Sequence, residues 1–179
     1  MKLTDLPHDI IERAKKIRLL VLDVDGVLSD GKLIFSNSGD ELKTFSTLDG
    51  QGIKMLQRCG IEVGIITGRS SQIVSKRMQD LGVKRLIQGR EDKLTALGEL
   101  LEGTDIDHTE IAYMGDDLPD LAVIRRVGLG LTPHNGHWSV KAHAHWQTQL
   151  CGGEGAVREA CDLILLSQGL LDAQLAAYY

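Results

Sequence analysis

Aromatic side chains are scarce in this chain, at 4% of 179 residues, so its interior must be filled by aliphatic side chains. Proline is scarce as well, with three in all, which leaves few points where a helix or strand is forced to break. The three cysteines, Cys59, Cys151 and Cys161, are an odd number at spacings that fit neither a disulfide framework nor a CxxC metal knuckle, so free thiols are expected. Long hydrophobic runs are missing too. The apolar segment 19–22 is ended by Asp23 and Asp25, well short of a membrane span or the apolar part of a secretion signal. A cytoplasmic protein without a membrane partner is expected. Excess positive charge is also absent: the net charge of −5 argues against nucleic acid, whose backbone requires a basic face. Any anionic ligand must therefore meet cations placed locally.

What is present is ordinary for a folded domain, with 42% hydrophobic and 25% charged residues. The length fits one domain over residues 1–179. Apolar runs at 18–22, 62–66 and 110–114, and a weaker one at 85–87, are too short for helices and read as buried strands. Helical patterns at 52–59, 71–81, 93–101 and 119–126 lie between or after them, each followed by a glycine stop at Gly60, Gly82, Gly103 and Gly128. This alternation predicts an α/β fold, a Rossmann-like parallel sheet with helices on both faces. Residues 32–35 and 41–46 break the pattern. They are β-like and flank the turn-forming Ser36-Asn37-Ser38-Gly39-Asp40, which predicts a β-hairpin inserted at about 30–47. The tail, about 152–179, carries an amphipathic helical pattern at 154–169 and a second short one at 170–179.

In a parallel sheet, ligands bind beyond the carboxyl ends of the strands. Three predicted strands end in polar clusters: Asp23-Val24-Asp25-Gly26, Thr67-Gly68-Arg69-Ser70, and Gly115-Asp116-Asp117-Leu118-Pro119-Asp120. Residues i and i+2 of a strand share a face, so Asp23 and Asp25 can reach one site. Carboxylates from two strand ends make a hard-oxygen pocket suited to Mg²⁺, which binds through one or two carboxylates and bridges to phosphate. A carboxylate nucleophile facing a phosphate needs such a cation to relieve charge repulsion.

In order along the chain, Asp23-Val24-Asp25-Gly26-Val27, Thr67, Lys93 and Gly115-Asp116-Asp117 resemble the four motifs of the haloacid dehalogenase-like hydrolases, over residues 19–120. The resemblance implies that Asp23 is a nucleophile forming an aspartyl-phosphate and that Asp25 protonates the leaving oxygen and then activates water. It implies that Thr67 holds the phosphoryl oxygens and Lys93 neutralises their charge. Mg²⁺ would be held by Asp23, the carbonyl of Asp25, and Asp116. Asp117 and Asp120 have a simpler reading as helix caps. The histidines His134, His137, His143 and His145 lack zinc-ligand spacing backed by cysteine and read as packing or solvated residues; Cys59 reads as core.

Hydrolases of this family usually carry a cap domain, and here there is no room for one. Residues 26–66 are filled by the hairpin, a helix and the second strand, and residues 94–115 by a helix and the third. A capless site stays open unless another subunit covers it. Asp30-Gly31, the hairpin, Asp49-Gly50-Gln51-Gly52-Ile53-Lys54, Thr67-Gly68-Arg69 and Gly152-Gly153-Glu154-Gly155-Ala156-Val157-Arg158-Glu159 further resemble the capless phosphatases of 3-deoxy-D-manno-octulosonate 8-phosphate, a step of lipopolysaccharide precursor synthesis. That resemblance covers about residues 17–170. It implies a homotetramer built on the hairpins, a small anionic sugar phosphate as partner, and a substrate pocket from Asp25, Ser46, Thr47, Leu48, Asp49, Gly50, Lys54, Arg69, Arg77 and Lys93. Two departures stand out: Glu154 where the family commonly has arginine, and the His- and Trp-rich stretch 132–149. The alternatives are a phosphatase of a nine-carbon sugar-acid phosphate, or an open-faced monomer of broad or phosphoprotein specificity.

Overall fold

The computed structural model describes residues 3–179. In chain order its elements are α1 (His8–Ala14), β1 (Leu19–Leu22), β2 (Ile34–Phe35), β3 (Glu41–Leu42), α2 (Thr47–Arg58), β4 (Glu62–Ile66), α3 (Gln72–Leu81), β5 (Arg85–Ile87), α4 (Lys93–Leu100), β6 (Ile111–Met114), α5 (Leu121–Ile124), β7 (Leu129–Thr132), α6 (Trp138–Lys141), β8 (Trp146–Gln147), α7 (Ala156–Ser167) and α8 (Leu171–Ala176). Six strands form one parallel sheet in the order β5-β4-β1-β6-β7-β8. The β2–β3 hairpin stands apart as a second, antiparallel sheet.

Strand β1 lies between β4 and β6 and is buried along its whole length. Its side chains alternate between faces. Leu19 and Val21 enter a core with Ala96 and Leu97 of α4, Val123 and Ile124 of α5, and Val140 of α6. Leu20 and Leu22 enter a second core with Ile53 and Leu56 of α2, Val74 and Met78 of α3, and Ala160 and Ile164 of α7. Helices thus cover both faces, as the alternation of strands and helices predicts. A side chain as enclosed as Leu56 contributes about 2–5 kcal/mol against truncation to alanine.

Two differences from the sequence reading have physical causes. Helix α2 starts at Thr47, not Gly52, with Ser46 as N-cap accepting from the Leu48 amide at 3.2 Å. Gly50 and Gly52 look like helix breakers, yet both sit where helices approach closely. A Cβ on Gly50 would stand 2.4 Å from the Arg77 guanidinium, and one on Gly52 would stand 3.1 Å from Cys161 of α7. The sheet also continues past β6 into β7 and β8, where glycines 128 and 130 and the mixed stretch 132–149 hide two short strands.

Among the described residues no second module lies over the sheet edge; the insertion after β1 is the hairpin alone. Its apolar residues Leu33, Ile34, Phe35 and Leu42 are 45–58% exposed. No helix among the described residues is long and apolar enough to cross a membrane.

Candidate active site

The chain leaves β1 for β4 and β5 on one side and later adds β6, β7 and β8 on the other. This reversal opens a crevice at the carboxyl ends of β1, β4 and β6. A cavity of about 710 Å³ occupies it, lined among others by Asp23, Asp25, Thr67, Arg69, Glu91, Lys93, Asp116 and Asp120. The three polar clusters read from the sequence meet there.

Asp23 is held from several directions. Its amide donates to the Met114 carbonyl at 3.0 Å, which prolongs the β1–β6 pairing by one residue. Its Oδ1 accepts from the Val24 amide at 2.6 Å, and its Oδ2 pairs with Lys93 Nζ at 2.7 Å. Lys93 opens α4 behind the N-cap Asp92, and its side chain is 4% exposed. Its second partner is Asp120, with Nζ 2.6 Å from Oδ1. Asp120 Oδ1 also accepts from the Tyr113 hydroxyl at 2.6 Å, and its Oδ2 from the amides of Asp116 and Asp117 at 3.0 and 3.2 Å. The reading of Asp120 as a helix cap accounts for its bond from the Asp117 amide, which completes a capping box with Asp117, but not for the rest of this network. The signal that finds it is tertiary: Tyr113 on β6 and Lys93 on α4 must first be packed side by side. The cap reading does fit Asp117, which is exposed and accepts from the Leu118 amide at 2.8 Å.

Charge is unbalanced here. Asp23, Asp116 and Asp120 can each bring an oxygen within 4.8 Å of the others, and among the described residues Lys93 is the one ammonium paired with any of them. Burial, reinforced by Asp120 and opposed by Lys93, pushes Asp23 up to about 6. Burial, then the charges of Asp23 and Asp120, pushes Asp116 up to about 7. Burial works against the Lys93 ammonium, but Asp23 and Asp120 outweigh it and hold its pKa above the usual lysine value. Asp120 takes four donors, Lys93, Tyr113 and the amides of Asp116 and Asp117, which fill its lone pairs, whereas Asp23 takes only two, so Asp23 and Asp116 keep lone pairs that a cation can use. The all-oxygen donor set fits Mg²⁺. Gly26 is required beside it: at φ +89°, a Cβ would fall 2.1 Å from Asp116 Oδ2.

Asp25 lies across the crevice. It forms an ion pair with Lys43 from the hairpin, lies 3.5 Å from Ser29 Oγ, and has Arg69 Nε 3.8 Å from its Oδ2. Arg69 is itself bound to Glu41 at 3.0 Å, and Glu41 also accepts from Ser71 Oγ at 2.8 Å. Neither Lys43 nor Glu41 is singled out by the sequence. Thr67 lines the cavity and is 2% exposed; its amide donates to the Ile87 carbonyl at 3.0 Å and its hydroxyl oxygen accepts from the Arg69 amide at 3.5 Å.

The substrate residues implied by resemblance divide into two groups. Asp25, Arg69 and Lys93 line the cavity; Ser46, Thr47, Leu48, Asp49, Gly50, Lys54 and Arg77 do not. Asp49 is buried at the N-terminus of α7, where its Oδ1 accepts from the Arg158 amide at 2.8 Å while its Oδ2 is buried without a hydrogen-bond partner among the described residues. Burial nonetheless pushes it up to about 6. Arg77 donates to the Ser46 carbonyl at 3.3 Å and lies over the Phe45 ring. Lys54 and Glu154 are exposed. Two of the histidines accept from backbone, His145 from the Gly130 amide at 2.8 Å and His137 from the Ser139 amide at 3.2 Å. The three cysteines are free.

Comparison with known proteins agrees with this arrangement. The model of a haloacid dehalogenase-like hydrolase family matches residues 85–157, and the chain belongs to the haloacid dehalogenase-like hydrolases. Within that class, it is 48% identical over 164 residues to the 3-deoxy-D-manno-octulosonate 8-phosphate phosphatase of Escherichia coli K12, covering 92% of this chain and 87% of that protein. The enzyme of the same name from Moraxella catarrhalis, solved with magnesium, phosphate and the sugar acid KDO, is 44% identical with a TM-score of 0.95. That match covers 97% of this chain and all of that one. A probable YrbI-family phosphatase of Pseudomonas syringae is 53% identical with a TM-score of 0.94, over 96% and 98% of the two chains.

Proposed function

We propose that this chain is a magnesium-dependent phosphatase that hydrolyses 3-deoxy-D-manno-octulosonate 8-phosphate to the free sugar acid and phosphate, a step of lipopolysaccharide precursor synthesis. The observation that carries this reading is the Asp23 carboxylate at the end of β1, 2.7 Å from Lys93 and beside Asp116, in a cavity that also presents Asp25 and Arg69. The sequence and structural relatives that share nearly the whole chain bear the same activity in their names.

Asp23 is the nucleophile. Its oxygen bonds to phosphorus, the bond from phosphorus to the sugar oxygen breaks, and Asp25 gives that oxygen a proton. Asp25 then takes a proton from water as the water oxygen attacks phosphorus and frees Asp23. Lys93 neutralises charge shared by nucleophile and phosphoryl group, and Thr67 donates to a phosphoryl oxygen. Asp23, Asp116 and the carbonyl of Asp25 are the groups that hold Mg²⁺, which supplies electrostatic stabilisation of the transferring phosphoryl group. Arg69 faces the sugar carboxylate, since a guanidinium matches a carboxylate in charge and shape.

The chain acts as one domain and assembles as a homotetramer through the hairpins, whose exposed Leu33, Ile34, Phe35 and Leu42 supply the apolar contact. In this reading the segment Ser46 to Gly50, Lys54 and Arg77 meet the substrate only where a neighbouring copy closes the crevice. The free thiols accord with a reducing compartment, and the protein works in the cytoplasm.

The test is phosphate release with Mg²⁺ from 3-deoxy-D-manno-octulosonate 8-phosphate, measured beside a nine-carbon sugar-acid phosphate and a panel of neutral sugar phosphates. The reading expects a kcat/KM preference for the first. Preference for the nine-carbon acid, or an even spread over the panel, overturns the substrate assignment. Light scattering that finds a monomer overturns the assembly.

A further inference from the structure

The hairpin has an inner face as well as an outer one. Glu41 and Lys43 are two positions apart and point the same way, while Leu42 between them is 58% exposed. Phe45, next on the inner side, packs against the core. Inner and outer faces therefore do different things. The Lys43 side chain is 2% exposed and ends in an ion pair with Oδ1 of Asp25. Glu41 binds the Arg69 guanidinium at 3.0 Å and Ser71 at 2.8 Å, with Lys43 3.9 Å away. Arg69 Nε closes the ring, 3.8 Å from Oδ2 of Asp25. Four charges alternate in sign around a closed circuit that joins the hairpin to the ends of β1 and β4.

A long lysine chain loses rotamer freedom when it is enclosed like this. The ammonium stays ordered because Asp25 and Glu41 flank it. Since Lys43 does not line the cavity, it cannot hold substrate directly in this geometry. Its effect must pass through Asp25. With Oδ1 taken by Lys43, Oδ2 is the oxygen left to face the leaving group.

We infer that the inner face of the hairpin is a positioning element for the reaction: Lys43 fixes the Asp25 carboxylate so that Oδ2 exchanges the proton, and Glu41 fixes Arg69 for the substrate carboxylate. The inference rests on the phosphatase reading. When Asp23 attacks phosphorus and the bond to the sugar oxygen breaks, that oxygen takes the proton from Oδ2. A misaligned Asp25 costs most where the leaving oxygen is strongly basic, as in a sugar, and least where it departs readily as an aryl oxide.

The test compares kcat/KM for the sugar-acid phosphate and for p-nitrophenyl phosphate in wild type and in Lys43→Met, with melting temperature and oligomer size measured alongside. The expected loss is about 10- to 100-fold on the sugar phosphate and several-fold smaller on the aryl phosphate, because the loss falls on proton transfer to the leaving group. Lys43→Arg, which keeps the cation, recovers most of the difference. Glu41→Gln raises KM for the sugar-acid phosphate more than for the aryl phosphate. Should Lys43→Met fail to fold, Lys43→Gln carries the same comparison. Equal losses on both substrates, or none, overturn the inference; a wild-type protein that hydrolyses neither substrate overturns the phosphatase reading instead.

Discussion

The strand ends line the cavity themselves, whereas the hairpin touches it only through its ion pairs to Asp25 and Arg69. Asp23, Lys93 and Asp120 are almost enclosed, on elements whose apolar faces are packed into the two cores, and every Asp120 oxygen has a donor. The hairpin is two pairs of residues, Ile34 with Leu42 and Phe35 with Glu41, with its apolar side exposed. An isolated two-stranded ribbon is marginally stable at best in water. Its position therefore depends on the charges beneath it and on whatever covers it. Chemistry common to a large family is built on the part of the fold that cannot shift. In the proposed reading, features that separate one substrate from another are built on the part that can.

This contrast can be broken at the rigid end first. Asp23→Asn removes the proposed nucleophile and is expected to lower turnover by at least about 10³-fold while the protein still folds and assembles; a rate within tenfold of wild type contradicts the role assigned to it. Lys93→Met comes next. It is expected to cost about 10²-fold or more in kcat, like loss of a donor to developing charge. It also strips Asp23 and Asp120 of their shared cation, and leaving a buried charge unpaired costs about 3–5 kcal/mol in urea unfolding.

The acidity of the cluster gives a third test. Asp23 at about 6 and Asp116 at about 7 both lie above the ordinary aspartate value of 3.8. The folded protein thus binds more protons than the unfolded chain between these limits. In chelator its stability is highest below about pH 4 as far as these two groups are concerned, and it falls as pH rises through 6 to 7. Mg²⁺ competes with those protons. It should therefore raise the melting temperature more at pH 8 than at pH 5.5, and equal shifts at both would count against Asp23 and Asp116 as ligands.

The smallest effect belongs to the hairpin's outer face. Ile34→Ser and Leu42→Ser, a directly opposed pair on that face, are expected to change the stability of the monomer by within about 0.5 kcal/mol, as exposed sites do. They should still reduce assembly size by light scattering and lower kcat/KM on the sugar phosphate. Unaltered assembly would place the subunit contact elsewhere.

The sequence makes legible what depends on local pattern. The apolar runs around Leu20, Val63 and Ala112 give the central strands, and the polar residues that follow them mark the crevice. Contacts made only by folding stay hidden. Lys43 meets Asp25 because the hairpin bends back over β1, and nothing at position 43 records that. Asp120 looks like one more acidic residue in a first turn until Tyr113 and Lys93 converge on it. Asp49, placed in the pocket by resemblance, sits at the N-terminus of α7 because α2 and α7 cross where Gly52 lets them approach. Strands β7 and β8 are missed because each is short and lies among glycines or in a stretch without clear periodicity.

The central claim is that Asp23 carries the phosphoryl group. Its direct test is acid quench during turnover, with Mg²⁺ and substrate labelled at phosphorus, followed by peptide mapping of the protein-bound label. Hydroxylamine-sensitive label on the peptide containing Asp23 is the predicted result. Turnover without protein-bound label, or label on another residue, contradicts it.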